Sequence, residues 1–153
     1  MKTRTITDKN EIKNIIDKCE VCYLGMSDGE NQPYVLPFNF GYENDTIYFH
    51  SAGEGKKIDV LRKNPKVCVA FSTDHKLFHR NEEVACSYGM QFRSIVAFGD
   101  IVFINDLDEK KKVLNIVMRK YTGKNFEYNT PAVNNVAVYK LKVTSIEGRL
   151  SGY

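Results

Sequence analysis

Most of the information about the fold lies in Gln32-Pro33-Tyr34-Val35-Leu36-Pro37-Phe38-Asn39-Phe40-Gly41-Tyr42. Large apolar or aromatic side chains occupy every second position from Tyr34 onwards, and smaller or polar residues lie between them. This period of two predicts a β-strand that turns one face towards a core. Pro37 cannot donate a hydrogen bond to a neighbouring strand, so it indicates a sheet edge or an interruption of the strand.

Five further strands are predicted around this stretch, at 21–26, 46–51, 66–72, 90–104 and 136–143, the last with Ile146. Turns at 27–30 and 44–45 join the first three strands directly, and such hairpins favour an antiparallel sheet. The Val-rich run 67–71 predicts a strand buried on both faces, and Gly99-Asp100 predicts a bulge in the longest strand. Six strands with a few helices predict one α+β domain over residues 1–153, with the sheet closed into a small barrel.

Three helices are expected from their termini. The first and last each begin with Asp followed three positions later by Glu, the spacing of a capping box. These pairs are Asp8 with Glu11 and Asp106 with Glu109. A shorter helix between them ends before Pro65, and Gly123 ends the last helix. Residues 73–87 are polar and irregular, and no element is assigned to them.

Composition and charge exclude several classes of protein. The chain has 153 residues, of which 42% are hydrophobic and 27% charged, as is usual for a globular protein. Its longest apolar run, 67–71, is too short to span a membrane, and no signal peptide is evident at the start. The net charge of +3 is spread over both halves, which does not indicate a nucleic-acid surface. We therefore expect a cytoplasmic protein that binds neither membranes nor nucleic acids.

Two short motifs contain residues that can bind metals. Cys19-Glu-Val-Cys22 has the spacing of a redox or metal-binding pair, but Cys19 ends a helical pattern and Cys22 enters a strand. We interpret both as small buried residues, with a functional pair as the alternative. His75 and His79 have a helical spacing that suits a metal, but further ligands would have to come from an unassigned loop. No metal site is predicted.

The segment Ile47-Tyr-Phe-His-Ser-Ala-Gly-Glu-Gly-Lys-Lys57 is the strongest candidate for a binding site. A strand delivers His50 and Ser51 into a loop with two glycines, and the loop opens a helix that carries Lys56 and Lys57. Free N–H groups at a helix start favour an anion, and glycines allow its close approach. Two lysines suit a phosphate dianion and oppose the helix dipole unless an anion is present. The alternative is an ordinary loop with solvated lysines.

Two more segments could contact a ligand. The aromatic strand Pro33–Phe40 could lie against a flat aromatic ring, whose polar edge its backbone groups would bind. In the segment Cys86–Ser94, small and polar residues precede and begin the long strand. No nucleophile elbow, Walker loop, dinucleotide fingerprint or zincin helix is present, so a cofactor would carry the chemistry of an enzyme.

Together these segments resemble the pyridoxamine 5'-phosphate oxidase-like FMN-binding split barrels, and within them the nitroimidazole-resistance subgroup. The matching segments are Pro33–Phe40, Tyr48–Ala52 with Glu54–Lys57, Asn64–Cys68 and Cys86–Gly99. The resemblance runs over nearly the whole chain. It implies a six-stranded antiparallel split barrel of Greek-key type, and a homodimer with FMN at the dimer interface.

The resemblance also implies roles for individual residues. The isoalloxazine ring would lie along Leu36, Pro37, Phe38 and Asn39. The ribityl-phosphate end would contact His50, Ser51, Ala52, Lys56 and Lys57. Candidates for further contacts near the flavin are Tyr88, Arg93 and Ser94, from either the same or the second subunit. His50 is also the expected catalytic residue, because a histidine beside the flavin is a feature of the subgroup.

The end of the sequence departs from the family pattern. Oxidases of pyridoxamine phosphate end in a segment with Trp and Pro that helps to bind substrate, whereas this chain ends Gly148-Arg-Leu-Ser-Gly-Tyr153. Vitamin B6 oxidation is therefore not expected. The resemblance predicts an FMN-dependent oxidoreductase that reduces a small aromatic or nitro-bearing acceptor. A non-catalytic flavin or haem carrier of the same fold, and an interaction domain without a cofactor, are the alternatives.

Overall fold

A computed structural model describes residues 2–153, which form one large sheet with helices packed around it. The strands are β1 (Thr3–Ile6), β2 (Cys22–Ser27), β3 (Pro33–Phe38), β4 (Gly41–Glu43), β5 (Thr46–Ala52), β6 (Lys66–Phe78), β7 (Gly89–Ile104) and β8 (Val136–Ser151). The helices are α1 (Lys9–Lys18), α2 (Lys56–Lys63), α3 (Leu107–Thr122) and α4 (Thr130–Asn134), with a short 3-10 turn at Ala85–Ser87.

The sheet is antiparallel, with the strand order β3-β2-β6-β7-β8-β5-β4 and β1 paired to β8. Its two end strands, β3 and β4, follow one another in the chain and are joined by Asn39 and Phe40 alone. The chain connection therefore brings the two ends of the sheet together, although no ladder between these strands exists within residues 2–153. β6 pairs with β2 and β8 with β5, and these non-sequential neighbours fit the expected Greek-key order.

The inward face of the sheet holds a dense apolar core. Its largest fully buried side chains include Phe40, Phe49, Phe71 and Tyr139. Phe49 stacks on Tyr139 with 5.8 Å between ring centroids, and Phe38 meets Phe49 edge-on at 5.7 Å. Such aromatic pairs prefer stacked or edge-to-face geometry, so these rings pack without strain beneath the junction of the two sheet ends.

Local sequence signals account well for the helix ends and the bulge. The side chains of Asp8 and Asp106 accept hydrogen bonds from the N–H groups of Glu11 and Glu109, both at 2.9 Å. Gly123 ends α3 in the left-handed region with φ 70°. The register of β7 against β8 shifts between Phe98 and Gly99, where an irregularity was expected, but the unpaired extra residue is Thr144 of β8 rather than a residue of β7.

Several predicted elements need correction. The sheet has eight strands rather than six, because β1 was missed and the predicted strand 32–42 divides into β3 and β4. β6 continues to Phe78 through part of the stretch left unassigned, and β8 continues to Ser151. Helix α4 lies where a loop was expected. Asn129 caps it by accepting from the N–H of Ala132, a signal that the Asn-Thr-Pro sequence contains.

The opposite face of the sheet carries an exposed apolar stripe. Ladder partners place Val35 opposite Gly25, Gly25 opposite Cys68, and Cys68 opposite Phe98. The outer-face stripe consists of Tyr23, Val35, Cys68, Ala70, Val96 and Phe98. Tyr23 is 50% exposed, Val35 58% and Phe98 49%. The prediction that 67–71 is buried on both faces is therefore wrong for this chain alone, because Cys68 and Ala70 are only half-buried.

None of the helices described in residues 2–153 is both long and apolar enough to cross a membrane.

Candidate functional site

An open cleft lies where the two ends of the sheet meet. Within residues 2–153, β3 pairs with β2 on one side only. β4 pairs with the first three residues of β5, Thr46–Tyr48, and not with the rest of that strand. The rest of β5, Phe49–Ala52, therefore has β8 as a neighbour on one side and faces β3 across a gap. A gap between two strand edges exposes backbone hydrogen-bonding groups that a ligand can use.

The cleft has a volume of about 350 Å³ and combines apolar and polar walls. Its lining residues are Leu36, Pro37, Phe38, Asn39, His50, Ser51 and Lys57. All seven are among the cofactor-binding residues expected from the sequence, although they come from three separate elements. The structure thus brings together the aromatic strand and the loop with the lysines, which the sequence could only treat as separate segments.

His50 gives the cleft an unpaired hydrogen-bonding group. Its Nδ1 is the one buried side-chain nitrogen or oxygen without a partner in the described part of the chain. Burial lowers the pKa of His50, so the neutral imidazole is favoured near neutral pH. A buried polar atom without a partner is costly, and a ligand in the cleft could supply the missing hydrogen bond.

Ser51 is held in place from the core side. The hydroxyl of Tyr139 donates to Ser51 Oγ at 3.2 Å, and Ser51 Oγ donates to the carbonyl of Ala52 at 3.0 Å. Burial raises the pKa of Tyr139 to about 12, which keeps the phenol protonated as a donor. Ser51 therefore has a fixed position, and its remaining lone pair can accept a hydrogen bond from a ligand.

The start of α2 supplies positive charge to the cleft. Gly55 precedes the helix with φ 107°, a conformation that side chains rarely adopt, and no side chain caps the helix. Lys57 lines the cleft with its Nζ 5.7 Å from the centre of the Phe38 ring. No carboxylate within residues 2–153 forms an ion pair with Lys57. A helix start with an unpaired ammonium group is a favourable place for an anion.

Two expected site residues lie just outside the cleft. Lys56 extends over the ring of Tyr34, with its Nζ 4.6 Å from the ring centre, and is not part of the lining. Its charge also helps to lower the pKa of Asp28, after the hydrogen bonds that this carboxylate accepts from Gln32 and Glu30. Ala52 is the exposed last residue of β5, beside the lining residue Ser51.

The other three expected residues lie away from the cleft in this chain. Tyr88 lines a separate cavity of about 390 Å³ beside Arg80 and Cys86, and Ser94 lines another of about 370 Å³. Arg93 forms an ion pair with Asp74 at 2.6 Å, and the ring of Tyr153 covers its guanidinium at 3.9 Å. Within one chain these three residues do not contribute to the cleft, and any contact with a ligand there needs a second subunit.

The cysteine and histidine motifs have local structural roles. Cys19 and Cys22 are buried, and their thiols donate to the carbonyls of Ile15 and Phe38. Burial raises the pKa of both thiols, for Cys22 to about 12, so both stay protonated. His75 Nε2 is 2.7 Å from Ser72 Oγ. Among residues 2–153, no three His, Cys, Asp or Glu side chains form a group that could hold a metal ion.

Known proteins resemble the chain in both sequence and structure. Residues 8–150 match the model of the pyridoxamine 5'-phosphate oxidase family. A candidate 5-nitroimidazole antibiotic resistance protein of Bacteroides thetaiotaomicron is 46% identical, over 97% of this chain and 87% of that chain, with a TM-score of 0.86. Among proteins with curated functions, none matches the chain.

Two more distant structures share the fold. The flavocytochrome Anf3 of Azotobacter vinelandii has a TM-score of 0.83 at 20% identity, over 97% of this chain and 70% of that chain. An FAD-binding protein of Mesorhizobium loti has a TM-score of 0.71 at 23% identity, over 99% of this chain and all of that chain. These likenesses confirm the split-barrel fold expected from the sequence. Because the family model spans nearly the whole chain, and the Bacteroides protein agrees with it, this chain belongs to the pyridoxamine 5'-phosphate oxidase family.

Proposed function

We propose that the cleft between β3 and β5 binds FMN and that the protein is an oxidoreductase acting on a small aromatic or nitro-bearing acceptor. The observation that carries the proposal is that two residues with unsatisfied polar groups line one cleft: His50, whose buried Nδ1 has no partner, and Lys57, whose ammonium group forms no ion pair within residues 2–153. A ligand with a hydrogen-bonding chain and a terminal phosphate satisfies both. The 46% identical Bacteroides protein, a candidate 5-nitroimidazole resistance protein, supports the choice of acceptor.

The cleft residues divide into two groups that suit the two ends of FMN. Leu36, Pro37 and Phe38 offer an apolar wall for a flat ring. Ser51, Lys57 and the start of α2 offer hydrogen bonds and positive charge for a phosphate. Bound FMN would supply hydride and electron transfer between a nicotinamide donor and the acceptor.

His50 is the proposed catalytic residue. His50 lines the cleft, and its neutral imidazole can carry a proton on a ring nitrogen for transfer to a reduced acceptor. Changing His50 to Ala should abolish turnover while FMN stays bound. Turnover at the wild-type rate in this variant would remove His50 from the mechanism and leave it as a hydrogen-bonding contact.

The outer-face stripe supports a homodimer as the working form. The stripe begins at Val35 on β3, the same strand that lines the cleft, so a second copy seated on it would also approach the cleft. Large exposed apolar patches are typical of interfaces. Tyr88, Arg93 and Ser94 of the second copy would then be the additional flavin contacts.

The first test is an absorbance spectrum of the purified protein with and without FMN, followed by titration with FMN and FAD. We expect flavin bands that persist after gel filtration, with FMN binding more tightly than FAD because the cleft offers a single anion site. Oxidation of NADH or NADPH with a nitroaromatic acceptor then tests catalysis. Bound flavin without turnover would favour a non-catalytic flavin carrier. A haem spectrum without flavin binding would favour a haem protein, an alternative motivated by structural neighbours that contain flavin and haem.

A further inference from the structure

The last turn of α3 holds the junction between β3 and β4. The N–H of Phe40 donates to the hydroxyl of Tyr121 at 3.1 Å. The same hydroxyl donates to the carbonyl of Glu20, between α1 and β2, at 2.7 Å. One phenol group thus joins three parts of the chain that are far apart in sequence, and it satisfies a main-chain amide that lies between the two strands.

The neighbouring lysine fixes the ring of the same residue. Lys120 Nζ lies 4.4 Å from the centre of the Phe40 ring and donates to the carbonyl of Asp17, in the last turn of α1, at 3.2 Å. A cation is favourable both over an aromatic face and at a helix C-terminus. On its other side the Phe40 ring meets Phe71 edge-on, with 5.0 Å between centroids. Phe40 is therefore held at its amide and at its ring.

Helix α3 also approaches the main chain of the junction very closely. A Cβ at Gly41 would lie 2.8 Å from Ile116 Cγ2 and 3.1 Å from the main-chain nitrogen of Val117. Glycine is required here because α3 occupies the space that any side chain would need. Phe40, which has no ladder partner within residues 2–153, is thus positioned by α3, and Gly41 is held both by α3 and by its pairing with Tyr48 of β5.

This junction lies next to the wall of the cleft, because Phe38 and Asn39 line the cleft and Phe40 follows them directly. We propose that Tyr121 is a positioning residue for the flavin site: its hydroxyl holds the Asn39–Phe40 junction so that Phe38 and Asn39 stay opposite His50 and Lys57. The proposal rests on the proposed function, since it assigns a role towards bound FMN. Tyr121 itself does not line the cleft.

The test compares Tyr121→Phe with Tyr128→Phe. The hydroxyl of Tyr128 donates to Asn115 Oδ1 at 3.3 Å, away from the junction, so the control loses a similar hydrogen bond. FMN dissociation constants and the visible circular dichroism of bound flavin are measured well below both melting temperatures. We expect Tyr121→Phe to weaken FMN binding about tenfold, equivalent to about 1.4 kcal/mol, and to change the flavin spectrum. Wild-type affinity and spectrum in Tyr121→Phe would overturn the proposal.

Hydrogen exchange of the Phe40 amide in the flavin-free protein separates this proposal from the proposed function. In Tyr121→Phe this amide loses its acceptor and should exchange about ten times faster, whereas Tyr128→Phe should leave it unchanged. If the exchange rate of the Phe40 amide is unchanged in Tyr121→Phe, the Tyr121 hydroxyl does not fix the junction, even if FMN binds. If the wild-type protein binds no FMN but the Phe40 amide exchanges faster in Tyr121→Phe, the proposed function is wrong. The role of Tyr121 in fixing the junction between β3 and β4 would still stand.

Lys120→Met provides the test if Tyr121→Phe does not fold. Methionine keeps an unbranched side chain over Phe40 but removes the ammonium group and its hydrogen bond to Asp17. We expect weaker FMN binding and faster Phe40 exchange in this variant, both smaller in size than for the loss of the hydroxyl. Faster Phe40 exchange together with wild-type FMN affinity would overturn the proposal, because the junction would then be loosened without any effect on the flavin site.

Discussion

Lys56 and Lys57 are adjacent in the chain but lie in different environments. Lys57 lines the cleft without a carboxylate partner in residues 2–153, whereas Lys56 covers the ring of Tyr34 and influences Asp28. The sequence motif treats the two lysines as equivalent. The direction of each side chain from the first turn of α2 distinguishes them.

We predict that Lys57→Ala weakens FMN binding by about tenfold or more, because a hydrogen bond to a charged group contributes about 1.5–3 kcal/mol. Lys56→Ala is the matched control, since it removes the same charge one residue away. Its effect should be several times smaller. Isothermal titration of both variants with FMN measures the difference, and equal losses would show that both lysines contact the phosphate.

We also predict that His50 makes the protein less stable in acid. Burial lowers the pKa of folded His50 below its ordinary value of 6.5, so the unfolded chain binds this proton more readily. The free energy of unfolding should therefore fall as the pH drops below 6.5 and level off below the pKa of the folded state. His50→Asn should flatten this part of the profile in urea titrations of the flavin-free protein.

The exposed His79 provides the control for this experiment, as His79→Asn removes an imidazole outside the cleft. Parallel profiles for the wild type and His50→Asn between pH 5 and 6.5 would contradict the prediction.

Seven of the residues that the sequence analysis expected around a flavin line the cleft, and the sequence pointed to them in two different ways. The alternation in 33–40 and the glycine-lysine loop indicated two ligand-contacting segments, and only the family resemblance placed them at one site. Tyr88, Arg93 and Ser94 lie away from the cleft in one chain, and their proposed role as contacts from a second copy has no periodic signal in a single sequence. Tyr121 was not predicted as a residue of the site, because its hydrogen bond to Phe40 depends on tertiary packing.

At the scale of elements, one bulge interrupts the longest pair of strands, opposite Gly99 of β7. β7 and β8 are paired along their lengths, and the register shifts once, between Phe98 and Gly99. Gly99 lies so close to β8 that a Cβ there would be 2.1 Å from the carbonyl oxygen of Lys142 and 3.1 Å from Val143 Cα. The close approach requires glycine, even though the φ angle of Gly99 is not in the left-handed region.

We therefore predict that Gly99→Ala lowers the free energy of unfolding by about 3 kcal/mol, because β8 must move to accommodate the methyl group. Gly25→Ala is the control, since its Cβ would be 3.4 Å from the Cys68 carbonyl oxygen, an ordinary contact. Its effect should be about 1 kcal/mol or less. Denaturant titrations of both variants provide the comparison, and similar values for the two would exclude a special requirement at the bulge.

Elements with local signals were predicted, and elements that depend on distant partners were not. The capping residues Asp8 and Asp106 and the terminal Gly123 lie where the sequence placed them. β1 and the second half of β6 are short, polar or exposed, and they are strands because β8 and β7 supply the pairing. The division of 32–42 follows from the packing of α3 on Phe40 and Gly41, which the alternation of side chains does not contain.

At the scale of the whole molecule, the two faces of the sheet differ in a way that one chain does not explain. The inward face is a closed core, while the outer-face stripe leaves Tyr23, Val35 and Phe98 half exposed to water. Half-buried Cys68 and Ala70 lie between them on a strand whose sequence predicts burial on both faces. A second copy covering the stripe would give the strand the environment that its sequence indicates.

We predict that Phe98→Asp converts a wild-type dimer into a monomer, because an aspartate within the stripe, at its β7 end, would be buried at the interface without a partner. Phe126→Asp is the control, since Phe126 is similarly exposed but lies in the loop after α3. Sedimentation velocity measures the mass, and FMN titration of the same samples shows whether the site depends on the dimer. We expect Phe98→Asp to lose both dimerisation and most of its FMN affinity, and Phe126→Asp to keep both. A dimer that survives Phe98→Asp would mean that the stripe is not the interface. A monomeric wild type that binds FMN would mean that the cleft functions within one chain.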